Sequence, residues 1–300
     1  MNPALQTLAD RGLIKQCTDL EGLSARMDRG PLTFYAGFDP TGPSLHIGHL
    51  MPAFALAHLM KAGHTGICLL GGGTARIGDP SGKTEARRIM GVTEIDQNVA
   101  RFQRQFDNFF GRLGVQAVVR NNAEWLGELN YIEFLRDVGR HFSVNRMLSF
   151  ETYKARMETG LSFIEFNYQL LQSYDFYRLF ADEGCQLQIG GDDQWGNIVA
   201  GVDLIRRMAD GAQASDVWGL TQPLIMRADG KKMGKTESGA LYVDPEMVSP
   251  YEFFQYFRNV PDPDVEPFLR MFTLLPLPEA AQIASDDINA AKERLAWEVT

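Results

Sequence analysis

Two histidines three residues apart, His46 and His49, lie in P-T-G-P-S-L-H-I-G-H (40–49), between a short aromatic run and an apolar helical pattern. At that spacing they share a face of the first helical turn. Such a turn has unpaired backbone N–H groups and a partial positive charge, which together suit phosphate oxygens. Gly48 removes a side chain where a flat ligand could lie on the backbone. A histidine pair on a helix is more often structural, or a metal site at i, i+4, but here no acid or cysteine adjoins it. A second candidate is G-K-K-M-G-K-T-E-S-G (230–239), where Lys232 and Lys235 stand three apart among glycines. Such a basic loop can wrap a polyphosphate, each lysine acting as a point charge; alone it is a weak signal. A third is N-Y-Q-L-L-Q-S-Y-D (167–175), in which Tyr168, Gln172 and Asp175 fall on one helix stripe. Polar groups there need partners if the stripe is buried. Two tempting motifs fail: Ile77 replaces the first glycine of a phosphate loop in I-G-D-P-S-G-K-T, and Arg76 breaks a dinucleotide fingerprint in G-G-G-T-A-R.

The elements that must position these residues follow an α/β rhythm. Residues 32–39 read as a buried strand ending in the turn 40–44, and 45–62 as a helix that tolerates Pro52 and stops at Gly63. Residues 64–72 close a β-α-β unit with a right-handed crossover. After a glycine-rich loop, 94–113 is strongly periodic, with Val99, Phe102, Phe106, Phe109, Phe110 and Leu113 on one face. Residues 115–121 read as a strand, roughly 125–182 as almost all helix in three stretches (125–142, 149–157 and 162–184), 185–191 as a strand and 197–210 as a helix. After Asp210 the rhythm ends; beyond Pro245 only helices are expected. The expectation is a doubly wound parallel sheet with a helical insertion at about 123–182. The expected division is a catalytic unit at 1–222, a linker with the K-M-G-K-T loop at 223–245, and an all-α unit at 246–300.

Composition bounds the function. The chain has 300 residues, 45% hydrophobic and 22% charged, ordinary values for a globular protein. No apolar run is long enough to span a membrane, and the first residues lack a signal-peptide pattern, so a cytoplasmic protein without membrane partners is expected. Cys17, Cys68 and Cys185 are scattered, against a disulfide framework or zinc site. A net charge of −9 argues against a global nucleic-acid field but leaves room for a local basic track.

The two phosphate-type signals together resemble a class I aminoacyl-tRNA synthetase. More closely, Y-A-G-F-D-P-T-G-P-S-L-H-I-G-H-L, I-G-D-P-S-G-K-T, N-Y-Q-L-L-Q-S-Y-D, I-G-G-D-D-Q-W-G-N and K-M-G-K-T resemble the tyrosyl-tRNA synthetase family, in its order, across residues 35–236. The resemblance implies a Rossmann-like fold and two reactions: tyrosine with ATP gives tyrosyl-adenylate and pyrophosphate, then the tyrosyl group passes to tRNA(Tyr). It implies that Tyr168, Gln172 and Asp79 take the substrate ammonium, Asp175 and Tyr35 its phenol, and Gln194 lies near its carboxylate. ATP would meet Gly37, Asp39, His46, Gly48, His49, Gly191, Asp193 and Lys235. Thr41, His46, Lys83, Arg87, Lys232, Lys235 and Thr236 would stabilise the departing pyrophosphate, with His49 at the ribose or ring. Magnesium would arrive with ATP, with no protein-held metal or organic cofactor, and the insertion would form a homodimer interface. Departures from the family's commoner pattern are glycine in the lysine motif, Ala36 where some members have cysteine, and Asp192 where many have serine. The rivals are a tryptophanyl-tRNA synthetase, disfavoured by Tyr35 with Asp175, a small-molecule nucleotidyltransferase, and a non-catalytic RNA-binding relative with eroded motifs. The pattern stops within a helix at Thr300, suggesting a truncated form in which tyrosine activation is intact and tRNA charging weak or lost.

Overall fold

The computed structural model describes residues 1–81, 89–209, 216–225, 233, 235–236 and 239–300, with the backbone alone at 235, 236 and 239. The chain begins with helix α1 (Pro3–Asp10), the short strand β1 (Gln16–Cys17) and α2 (Leu20–Asp28). The first β-α-β unit follows as β2 (Thr33–Phe38), α3 (Ile47–Lys61) and β3 (Thr65–Leu70), then α4 (Val92–Arg112) and β4 (Val118–Asn121). The insertion, expected as three helical stretches, divides further into α5 (Ala123–Leu126), α6 (Tyr131–Asp137), α7 (Val144–Ser149), α8 (Glu151–Thr159), α9 (Phe163–Phe166) and α10 (Tyr168–Glu183). Strand β5 (Cys185–Gly191) and α11 (Trp195–Met208) return to the sheet, and β6 (Trp218–Gln222) extends it. The two-residue strands β7 (Lys235–Thr236) and β8 (Gly239–Ala240) pair antiparallel, and α12 (Pro250–Arg258), α13 (Asp262–Met271), α14 (Leu277–Asp286) and α15 (Ile288–Val299) complete the chain.

The main sheet runs β1-β6-β5-β2-β3-β4, parallel throughout except for β1. Winding proceeds from β2 through β3 and β4 on one side, and through β5 and β6 on the other. Where the direction reverses, between β2 and β5, a crevice opens at the carboxyl ends of the strands. Side chains alternate across the sheet. Phe34, Ala36 and Phe38 join a core with α3 and α4, whereas Tyr35 joins Phe176 and Val202 under α10 and α11.

Strand β6 corrects the expectation that the α/β rhythm ends after Asp210. All of W-G-L-T-Q is buried, and it pairs with β5 from Leu187↔Trp218 to Gly191↔Gln222. Its burial comes from its neighbours in the sheet, and no run of apolar residues announces it.

The C-terminal helices share the core of α1 and α3: Phe54 meets Phe272 at 6.1 Å between ring centres. Arg11, buried at the end of α1, donates to the carbonyls of Arg270, Thr273 and Leu275 at 2.9, 3.0 and 2.6 Å. That guanidinium satisfies backbone acceptors where α13 ends. Among the described residues no helix is long and apolar enough to cross a membrane.

Candidate active site

A cleft of about 400 Å³ occupies the crevice between β2 and β5. The turn that follows β2 brings the histidine pair to its rim. His46 caps α3, its Nδ1 accepting from Gly48 N at 3.0 Å, while His49 Nδ1 accepts from His46 N at 3.0 Å. The rings stack at 3.9 Å. With both Nδ1 atoms used as acceptors, the neutral rings carry their protons on Nε2 and present N–H donors. Burial, and then the neighbouring His46, hold His49 well below the ordinary histidine pKa. Gly48 has a local reason: a Cβ there would lie 2.9 Å from His46 Cε1, so glycine lets the ring fold over the helix end.

One end of the cleft collects acceptors. Tyr168 donates its hydroxyl proton to Asp39 Oδ2 at 2.8 Å, so its oxygen meets other groups as an acceptor. Asp79 accepts from Ser81 N at 2.8 Å and Gln194 Nε2 at 2.7 Å. Asn197, 3% exposed, donates to Gln172 Oε1 at 3.0 Å and Gln194 Oε1 at 3.2 Å, fixing both amides at once. Three carbonyl, hydroxyl and carboxylate oxygens facing one space suit an ammonium.

The other end is buried and polar. Asp175 accepts from Trp125 Nε1 at 2.7 Å and Asn122 Nδ2 at 2.9 Å. Burial pushes its carboxyl up to about 8 against those two bonds, with the charge of Asp39 adding to the rise. Burial thus shifts this carboxyl toward its neutral form. The Tyr35 hydroxyl is buried without a hydrogen-bond partner among the described residues, and burial, then Asp175, raises its pKa well above the ordinary value. Asn122 also bonds Thr74, which donates to Asp39 at 2.7 Å, so a continuous network joins the two ends.

The fold thus gathers Tyr35, Gly37, Asp39, Thr41, His46, His49, Asp79, Tyr168, Gln172, Asp175, Gly191, Asp193 and Gln194 around one cleft. Gly48 lies between the two histidines in the first turn of α3. Lys83, Arg87 and Lys232 lie outside the described residues, and Lys235 and Thr236 are placed by backbone alone, in β7. The chain just beyond β8 is tied to the histidine turn: Ile47 N donates to Leu241 O at 3.1 Å, and Val243 N to Leu45 O at 2.9 Å. Asp192 accepts from Gln16 at 2.7 Å and Thr221 at 2.8 Å, tying β1 and β6 to the end of β5. Among the described residues no three His, Cys, Asp or Glu side chains cluster as metal ligands.

Sequence reasoning missed Thr74, Ser81, Asn122, Trp125, Gln188 and Asn197. Asn197 was within reach, three residues after Gln194 on the same turn. A recess of about 620 Å³ outside Trp125 is lined by Arg120, Arg178, Asp182 and Glu183, which pair among themselves.

The family model for class I tRNA synthetases (W and Y) matches residues 27–300. A tyrosine–tRNA ligase of Treponema denticola is 59% identical over the whole chain, which covers 73% of that relative, and one of Treponema pallidum is 60% identical, covered to 72%. Among solved structures, a C-terminally truncated mitochondrial tyrosyl-tRNA synthetase of Aspergillus nidulans is 32% identical with a TM-score of 0.86, over 99% of this chain and 88% of that one.

Proposed function

Because the chain belongs to the class I tRNA synthetases of the tryptophan and tyrosine type, we propose that its cleft activates tyrosine with ATP. Its activity is that of a tyrosine–tRNA ligase: tyrosine and ATP give tyrosyl-adenylate and pyrophosphate, and the tyrosyl group then passes to the terminal adenosine of tRNA(Tyr). The observation that carries the assignment of roles is the contrast between the two ends of the cleft. Acceptors at Tyr168, Gln172 and Asp79 suit the ammonium, and the buried pair Tyr35 and Asp175, with the Tyr35 hydroxyl unpartnered among the described residues, suits the phenol.

The substrate carboxylate is already a nucleophile at neutral pH, so attack on the α-phosphorus needs no general base. Positioning and charge stabilisation carry the step. In this reading Gln194 lies near the carboxylate, and Gly37, Asp39, Gly48, His49, Gly191 and Asp193 border the nucleotide. The Nε2–H groups of His46 and His49, with Thr41, Lys83, Arg87, Lys232, Lys235 and Thr236, stabilise the leaving pyrophosphate. Magnesium would enter with ATP, keeping several waters. Residues 1–222 form the catalytic unit, 223–245 the linker and 246–300 a helical unit on the tRNA side. A homodimer through the insertion is supported by its exposed apolar side chains, among them Ile132 at 71% and Phe163 at 70%. The cytoplasm is the proposed place of action.

Equilibrium binding of tyrosine, tryptophan and phenylalanine to wild-type protein and to Tyr35→Phe tests the assignment of roles. Tyrosine should bind best to the wild type, and the variant should lose about tenfold for tyrosine alone. Preference for tryptophan would favour the neighbouring specificity instead.

A further inference from the structure

Three buried glutamines, Gln169, Gln188 and Gln222, have a side-chain oxygen without a hydrogen-bond partner among the described residues. Two of them are anchored through the amide nitrogen, Gln169 to Gly196 O at 3.0 Å and Gln222 to Met51 O at 3.4 Å. Gln188 differs: it is 3% exposed, yet no side-chain hydrogen bond holds it among the described residues. It lines the cleft, and it stands opposite Tyr35 in the parallel register of β2 and β5. Two polar side chains without partners among the described residues therefore lie at the same depth, on the same face of the sheet. The space for the amide is made by Gly201 of α11, where a Cβ would lie 3.3 Å from Gln188 Oε1 and 3.1 Å from Phe176 Cδ1.

A buried amide with no partner destabilises the protein that holds it, and an apolar residue of the same length would relieve that cost. Among the described residues nothing offsets it; a ligand with a hydroxyl at this depth would. We propose that Gln188 is a specificity-determining residue whose amide takes its missing hydrogen bond at the hydroxyl end of a bound phenolic amino acid. The inference rests on the tyrosine-activating reading above. It adds a third polar group to Tyr35 and Asp175, and it explains why a strand position facing a core carries an amide.

Gln188→Met keeps the length of the side chain and removes its polar atoms. In amino-acid-dependent exchange of pyrophosphate into ATP, KM for tyrosine should rise about tenfold with kcat little changed. Phenylalanine brings no hydroxyl, so its weak exchange should stay as it is, and the ligand-free variant should unfold at a higher temperature than wild type. Equal losses for both amino acids would overturn the proposal, because the amide would then only shape the wall. An unchanged KM for tyrosine would overturn it too. Gln188→Leu, smaller and equally apolar, reads the same quantities if methionine is not accommodated. Wild-type protein that exchanges with no amino acid would overturn the tyrosine reading itself, and the role of Gln188 with it.

Discussion

The carboxyl of Asp175 links the chemistry of single residues to a measurable property. Its pKa rises from 3.8 to about 8 on folding, chiefly through burial. A carboxyl raised in the folded state contributes stability that is present below its unfolded pKa and is lost as the pH climbs toward the folded value. The wild type should therefore lose stability between about pH 4 and pH 8, by an amount of the order of a few kcal/mol. Asp175→Asn, which cannot titrate, should show a flatter profile over that range in urea unfolding. Identical slopes in the two proteins would mean that the carboxyl stays ionised in its pocket. At this scale the sequence was a good guide wherever a side chain belongs to a local pattern: the Tyr168, Gln172 and Asp175 stripe could be read from helical spacing alone. It was a poor guide to residues whose meaning is a long-range partner. Asn122 bonds Asp175 across 53 positions, and no local feature of N-N-A-E-W discloses that.

Among the elements, the insertion is where local patterning and the final structure diverge. Residues 125–182 read as three helical stretches, but the structure divides them further, and Gly160 adopts φ +99° after α8. That break is held by a buried pair. Arg156 donates to both carboxylate oxygens of Glu165 at 3.1 Å and to Gly160 O at 2.9 Å, with the two side chains 2% and 6% exposed. Burial alone would raise Glu165, but bonds from Ser162 and Arg156 hold it below the ordinary carboxylate range. Its contribution is therefore present above the unfolded pKa and fades as pH falls through the folded one. Glu165→Gln leaves a buried guanidinium without its counter-charge and should cost about 3–5 kcal/mol in chemical unfolding at neutral pH. A change below about 1 kcal/mol would mean that Arg156 finds solvent when unpaired. Strand β6 shows the opposite limit: in W-G-L-T-Q only Trp218 and Leu220 alternate as apolar residues, too short a pattern to announce the strand that pairs with β1 and β5.

For the whole molecule, the parallel sheet, its order reversal and the cleft at the strand ends were legible as a class, because β-α alternation dictates them. The packing of α12–α15 against α1 and α3 was not, since it depends on which apolar faces meet. Exposed Phe163 and Ile132 give the proposed dimer its test: sedimentation at micromolar concentration should show a species of twice 33.6 kDa, and Phe163→Asp should shift it toward the single-chain mass of 33.6 kDa. A wild-type protein of 33.6 kDa throughout would sink the dimer without touching the chemistry. The chemistry has its own measurement, tyrosine-dependent exchange of pyrophosphate into ATP run beside tryptophan and phenylalanine. Exchange with tyrosine far above the other two is the expected result, and it would establish adenylate formation and phenol recognition in one experiment. No exchange with any of the three, in folded protein that binds ATP, would contradict the account and point to a non-catalytic relative or another nucleotidyl transfer.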